Sequence, residues 1–167
     1  EWYDLNGITL HAGDAVESVD RLNRIVRAQS GYEIRYDRLL IATGSNPVVI
    51  PVPGAQLPGV VTFRDLDDVA AMLQTAKDHK RAVVIGGGLL GLEAANGLMR
   101  QGMDVTVVHL LDSLMERQLD KQAGALLRQS LEARGMKFIM PAQTDAILGK
   151  ERVTGLRFKD GSEITAD

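Results

Sequence analysis

Cysteine is absent from the 167 residues of this chain. That excludes a disulfide framework, a thiolate metal site and a redox dithiol within it. Positive charge is not in excess either. Lys and Arg number 19 against 22 Asp and Glu, a net charge of −3, so no basic footprint argues for nucleic acid. No apolar run approaches the ~18 residues needed to cross a membrane as a helix, and no signal-peptide pattern opens the sequence. The lack of cysteine fits a reducing, cytoplasmic setting. What is present has the usual globular balance, 45% hydrophobic and 25% charged residues, and the length suits one ordinary domain or pieces of two. The sequence opens at Glu1 without a methionine and stops at Asp167 just after the strand-like SEITAD; both ends read as cuts through a longer protein.

The stretch AVVIGGGLLGLEAANGLMRQGMDVTVVHL, residues 82–110, organises the rest. An apolar run (82–85) enters three glycines, a helical pattern follows, and a second apolar run (105–108) ends on His109. A strand, a turn, a helix and a second strand within about 30 residues are the context in which G-x-G-x-x-G signals a dinucleotide. Gly86, Gly88 and Gly91 fill its three places. The first glycine permits a tight turn, the second lets a pyrophosphate approach the backbone, and the third lets helix and strand pack closely. The helix start adds unpaired N–H groups and the positive end of its dipole. The plain alternative is an ordinary glycine-rich strand-to-helix turn.

Around this unit, residues 7–43 read as a β-meander with short strands at 8–11, 15–19, 24–28 and 33–36, separated by turn residues. The mostly apolar RLLIAT, 38–43, has the length of a buried strand whose end opens on a ligand. Pro47, Pro51, Pro53 and Pro58 then mark an extended connection and the natural domain boundary near residue 60. Asp65 is the expected N-cap of a helix with Leu66, Val69, Ala70 and Leu73 inward, and Asp120 caps another with Ala123, Leu126, Leu127 and Leu131 inward, closed by Gly135. Residues 136–140 would be a third parallel strand, and two short strands (146–148, 153–158) and a strand fragment follow. The fold class is therefore α/β: a Rossmann-like dinucleotide-binding domain with a parallel sheet, preceded by a β-meander and one further strand.

The IATG at 41–44, the proline-rich connection and VVIGGGLLGLEAA at 83–95 come in an order that resembles the pyridine nucleotide–disulfide oxidoreductase superfamily. YDRLLIATGSNP, PGVVTFRDLDDV and VTVVHLLDSLMERQLD are similar, more closely, to the large subunits of assimilatory NAD(P)H nitrite reductases. The resemblance spans most of the chain. It implies that residues 1–60 are the latter part of a first FAD-domain segment and 61–167 most of an inserted NAD(P)H domain. The siroheme and iron–sulfur domain, and the glycine loop for the FAD pyrophosphate, would lie outside this chain.

The resemblance also implies roles for single residues. Ala42, Thr43 and Gly44 match a motif whose backbone touches the flavin nucleotide; a strand ended by a glycine turn is the alternative. Val16 falls where relatives contact the adenine, or else packs in a core. Arg64 matches an arginine that approaches the flavin, or is a surface residue. Leu90 would line the nicotinamide side and Glu93 would lie near the nicotinamide. Core packing and a first-turn carboxylate favoured by the helix dipole are the respective alternatives. His109 departs from pattern: about 20 residues beyond the glycines an acidic side chain ordinarily accepts from the ribose 2′-OH of NAD. A neutral histidine can still bond a hydroxyl, and a protonated one would attract a 2′-phosphate; Arg117 would add a charge for that phosphate, or is a surface residue. His11 and His79 lack metal-ligand spacing partners. No nucleophile–base pair is evident, as expected where cofactors carry the chemistry.

These readings lead to a reductase fragment passing hydride from NAD(P)H to FAD. A ferredoxin or rubredoxin reductase, or an NADH oxidase, is the alternative within enzymes. A non-catalytic NAD(P)H-binding module is the alternative outside them. Partners would be NAD(P)H, FAD and an electron-accepting siroheme/iron–sulfur domain, and exposed apolar residues are expected to make the fragment self-associate.

Overall fold

The computed structural model describes residues 2–167 and divides into two compact units, one ending at Ser45 and one running Asn46–Asp167. In the first, a short helix α1 (Trp2–Leu5) precedes three antiparallel strands, β1 (Val16–Asp20), β2 (Ile25–Ala28) and β3 (Glu33–Arg35), paired in that order. Register runs Val19↔Val26 and Val26↔Ile34, with an irregularity between Val16 and Ser18. Short polar side chains hold the turns. Asp20 accepts from the backbone N–H groups of Leu22 and Asn23, and Asp14 from that of Ser30, the local bonding that makes such residues turn formers. His11 stacks on Tyr32 at 4.6 Å between ring centroids.

Two expected strands do not form. Residues 8–11 and 38–43 enter no ladder, and Leu40 and Ile41 are 87% and 71% exposed. Their composition suits a sheet interior, but a strand exists only beside a neighbour that takes up its N–H and C=O groups. Among the described residues neither segment has such a ladder partner.

The second unit carries α2 (Leu66–Asp78), β4 (Arg81–Ile85), α3 (Leu89–Arg100), β5 (Asp104–Val108), α4 (Lys121–Glu132) and β6 (Lys137–Ile139). It ends with β7 (Thr144–Gly149), β8 (Val153–Phe158) and β9 (Glu163–Thr165). Strands β4, β5 and β6 form a parallel sheet in that order, with Ile85↔Val108 and Val108↔Ile139 in register. The three ends therefore finish level, and the connections leaving them share one edge. Strands β7, β8 and β9 form a separate antiparallel sheet. Asp65 caps α2 by accepting from the Asp68 N–H, and Asp120 caps α4 by accepting from that of Ala123. Gly135, at φ 97°, turns the chain out of α4.

The core joins Met72 and Ala76 of α2, Leu92, Ala94, Ala95 and Leu98 of α3, and Val105 and Val107 of β5. This corrects the expected face of α2 and one residue of that of α4. On α2 the inward residues are Met72 and Ala76, while Leu66 and Leu73 are 85% and 45% exposed. The buried stripe lies about one residue, or 100°, around the helix from the expected one. On α4 Leu127 and Leu131 pack against the core as expected, while Leu126 is 67% exposed and Gly124 is buried. A Cβ on Gly124 would stand 2.4 Å from the Ser113 hydroxyl, so close approach of the preceding loop decides which face turns inward.

The proline-rich connection is bolted to the antiparallel sheet. Ile147 donates to the Pro53 carbonyl at 2.8 Å and Val153 to that of Pro58 at 2.9 Å. At the other end, Asp167 accepts from the N–H groups of Lys80 and Arg81 and from the Arg81 guanidinium. That ties the segment after β9 to the start of β4.

Candidate dinucleotide-binding site

Strand β4 ends at Ile85 and the chain reverses through Gly86, whose φ of 123° is a conformation that L side chains rarely adopt. Its N–H donates to the Val108 carbonyl at 2.8 Å, so the turn begins as a continuation of the sheet. Gly88 is the N-cap of α3 and no side chain caps it. The N–H groups of the first turn thus lack intrahelical acceptors and face outward with the positive end of the helix. A Cβ on Gly91 would stand 2.0 Å from the Gly86 carbonyl oxygen, whereas one on Gly88 would meet nothing within 4 Å. Gly91 is needed for packing, and Gly88 leaves open space where an anionic group could approach the backbone.

Two residues of this turn were not evident from the glycine spacing. Gly87 is buried, and a Cβ there would lie 2.6 Å from Leu114 and 3.0 Å from the His109 ring. Its N–H donates to His109 Nδ1 at 3.1 Å, and its carbonyl accepts from the Met115 N–H at 3.0 Å. The other residue is Glu116, whose Oε2 lies 3.2 Å from His109 Nε2. Since Nδ1 accepts a backbone N–H, the ring proton is on Nε2 and is donated to Glu116. The signal that could have found Glu116 is a carboxylate seven residues after a histidine standing where an acid is usual.

His109 sits at the end of β5 as expected, 9% exposed, with both ring nitrogens engaged inside the protein. Its backbone is pinned as well, the N–H to Ile139 and the carbonyl by Ala142. A proton on Nδ1 would set two donors against each other, so the geometry belongs to the neutral ring. Leu90 is 47% exposed on the first turn of α3. Glu93 is exposed and is the fifth residue of the helix. It therefore lies beyond the first turn, where the dipole's influence is concentrated, which corrects the first-turn explanation of that carboxylate.

Val16, Ala42, Thr43 and Gly44 belong to the first unit and Arg64 to the second. Ala42, Thr43 and Gly44 are exposed, and Gly44 has φ 71°; Val16 is 58% exposed at the start of β1. The Arg64 N–H donates to Asp68, which also accepts from the Thr62 hydroxyl, fixing the backbone just before α2. Among the described residues no group of three or more His, Asp or Glu is arranged to hold a metal ion. Nor, among the described residues, is any helix long and apolar enough to cross a membrane.

A parallel βαβαβ unit, with a glycine turn between its first strand and an uncapped helix, defines a Rossmann-like dinucleotide-binding domain. The family model described as pyridine nucleotide-disulphide oxidoreductase matches residues 4–167, and the chain belongs to that family. It is 52% identical over its whole length to the nitrite reductase [NAD(P)H] of Bacillus subtilis (strain 168). To the nitrite reductase [NAD(P)H] large subunit of Klebsiella oxytoca it is 41% identical, again over its whole length. It spans 21% and 18% of those two proteins. Among solved structures, the ferredoxin reductase for the CYP199A2 system from Rhodopseudomonas palustris superposes with a TM-score of 0.93 at 31% identity, covering 99% of this chain and 41% of that one.

Proposed function

We propose that this chain is the nicotinamide-nucleotide part, with an adjoining flavin-domain segment, of an FAD-dependent NAD(P)H reductase. Its place is the electron-input end of a nitrite reductase large subunit. The observation that carries this reading is the open backbone at Gly88, between a level parallel sheet edge and an uncapped helix, in a chain 52% identical to a nitrite reductase. When bound, NAD(P)H would supply a hydride and FAD would take its electron pair, which can then be passed on singly. The chain's own residues bind and orient. Gly86, Gly88 and Gly91 admit the pyrophosphate to the first turn of α3, with Leu90 and Glu93 on the side where the nicotinamide would lie. His109 belongs to the adenosine side. Ala42, Thr43, Gly44, Val16 and Arg64 would contact FAD. With no cysteine in the chain, an iron–sulfur cluster and siroheme would be held elsewhere in a longer, cytoplasmic protein.

The same fold serves a ferredoxin reductase, as the 0.93 superposition with the Rhodopseudomonas protein illustrates, so the acceptor is a separate question from the input. The test uses the full-length protein: it should purify yellow, and anaerobic addition of NADH or NADPH should bleach the flavin band. Added nitrite should then restore the band if the nitrite assignment holds; if instead only added oxidised ferredoxin restores it, becoming reduced, the ferredoxin reductase reading holds. A colourless protein, or a flavin that no nicotinamide bleaches, would overturn the reductase reading. We also propose that the 167-residue chain by itself self-associates through exposed apolar residues.

A further inference from the structure

The loop after β5 is fastened to the glycine turn by a closed ring of interactions. The Met115 N–H donates to the Gly87 carbonyl and the Gly87 N–H donates to His109 Nδ1. His109 Nε2 donates to the Glu116 carboxylate, and the peptide bond from Glu116 back to Met115 completes the circuit. Leu114, fully buried, packs against Gly87 from the same loop. Met115 takes φ 51°, an unusual conformation for a residue with a side chain, and it is here that the chain turns to bring Glu116 back to the histidine. The result is a carboxylate fixed beside the end of β5 by a buried neutral imidazole. Its Oε2 is engaged by His109, its side chain is 33% exposed, and Oε1 has no hydrogen bond among the described residues.

We infer that Glu116 supplies the carboxylate that recognises the adenosine ribose and makes the site prefer NADH to NADPH, with His109 as the positioning residue that holds it. This rests on the reading of the glycine turn as a dinucleotide site. At the end of the second strand of such a domain an acid ordinarily accepts from the 2′-hydroxyl. Here that position is a histidine, and its outer nitrogen hands the acceptor role to Glu116. A free carboxylate oxygen accepts a hydroxyl proton well. It also disfavours a 2′-phosphate, because two negative groups at hydrogen-bond range repel and neither is fully screened. Arg117, the next residue, is exposed.

The experiment is calorimetric titration of the purified full-length protein with NADH and with NADPH, for the wild type, E116A, E116Q and H109A, each checked by circular dichroism. The wild type should bind NADH more tightly. E116A should weaken NADH roughly tenfold or more, the loss of a hydrogen bond to a charged acceptor, while NADPH binding is unchanged or tighter, so the preference collapses. E116Q, which keeps the shape and loses the charge, should relieve NADPH more than it harms NADH. H109A should move the NADH:NADPH ratio in the same direction as E116A, and the double variant should move it no further. An unchanged ratio in E116A, or a wild type that prefers NADPH, overturns the inference. H109A weakening both nucleotides equally overturns the positioning role. If wild type binds neither nucleotide, the dinucleotide reading itself has failed, a result distinct from all of these.

Discussion

At the residue scale, the three glycines of the fingerprint make different demands, and the difference can be measured. Gly91 has the Gly86 carbonyl 2.0 Å from where a Cβ would stand. G91A must therefore push α3 away from β4, at a cost of about 1–3 kcal/mol, as for other overpacked sites. Gly88 has φ −84° and open space around its Cβ position. G88A should leave the denaturation midpoint within about 0.5 kcal/mol of wild type and yet weaken nucleotide binding, because the methyl occupies the anion's approach. Urea titration beside nucleotide titration checks both. If G88A destabilises while G91A does not, the assignment of roles is reversed. The spacing made Gly86, Gly88 and Gly91 legible, and the capping roles of Asp65 and Asp120 were equally readable, since each depends on residues within one turn. Gly87 and Glu116 were not readable, because the reasons for them come from His109 and Leu114, side chains brought in by the next strand and loop.

At the element scale, β4 is the central support of the site, and its first residues are clamped by a carboxylate from the far end of the unit. The Asp167 carboxyl is held well below the ordinary range, chiefly by the Arg81 guanidinium and then by the Lys80 N–H. A carboxyl whose folded pKa is depressed contributes stability above its unfolded pKa of about 4 and loses it as the pH falls toward the folded value. D167N should therefore be less stable than wild type at pH 7. The gap should narrow as pH drops below about 4, as followed by thermal melting across pH; a gap independent of pH would refute the electrostatic account. Elements were readable where periodicity and punctuation agreed, as in the βαβαβ run. They were misread where a partner decides. Residues 38–43 have strand composition and no ladder partner among the described residues, and α2 offers apolar side chains on more than one face, of which α3 selects Met72 and Ala76.

At the scale of the whole molecule, two units differ in how much apolar surface they hide. None of the first unit's described residues joins the buried hydrophobic core, and Leu22, Leu40 and Ile41 stand 95%, 87% and 71% exposed. Chains with such surfaces associate. The 18.1 kDa chain should sediment above its monomer mass at high concentration, and substituting Leu40 and Ile41 by serine should return it toward monomer. A monomeric mass at every concentration would refute the expectation.

The circuit of Gly87, His109, Glu116 and Met115 needs no nucleotide to complete it. A cradle already stiff before its guest arrives gives up little freedom on binding, so its heat signature should be that of direct contact with little ordering of the chain. It should also look the same loaded and empty. If the turn holds a coenzyme as proposed, a loop whose bonds are complete without it would release the spent coenzyme with no slow reshaping to wait for.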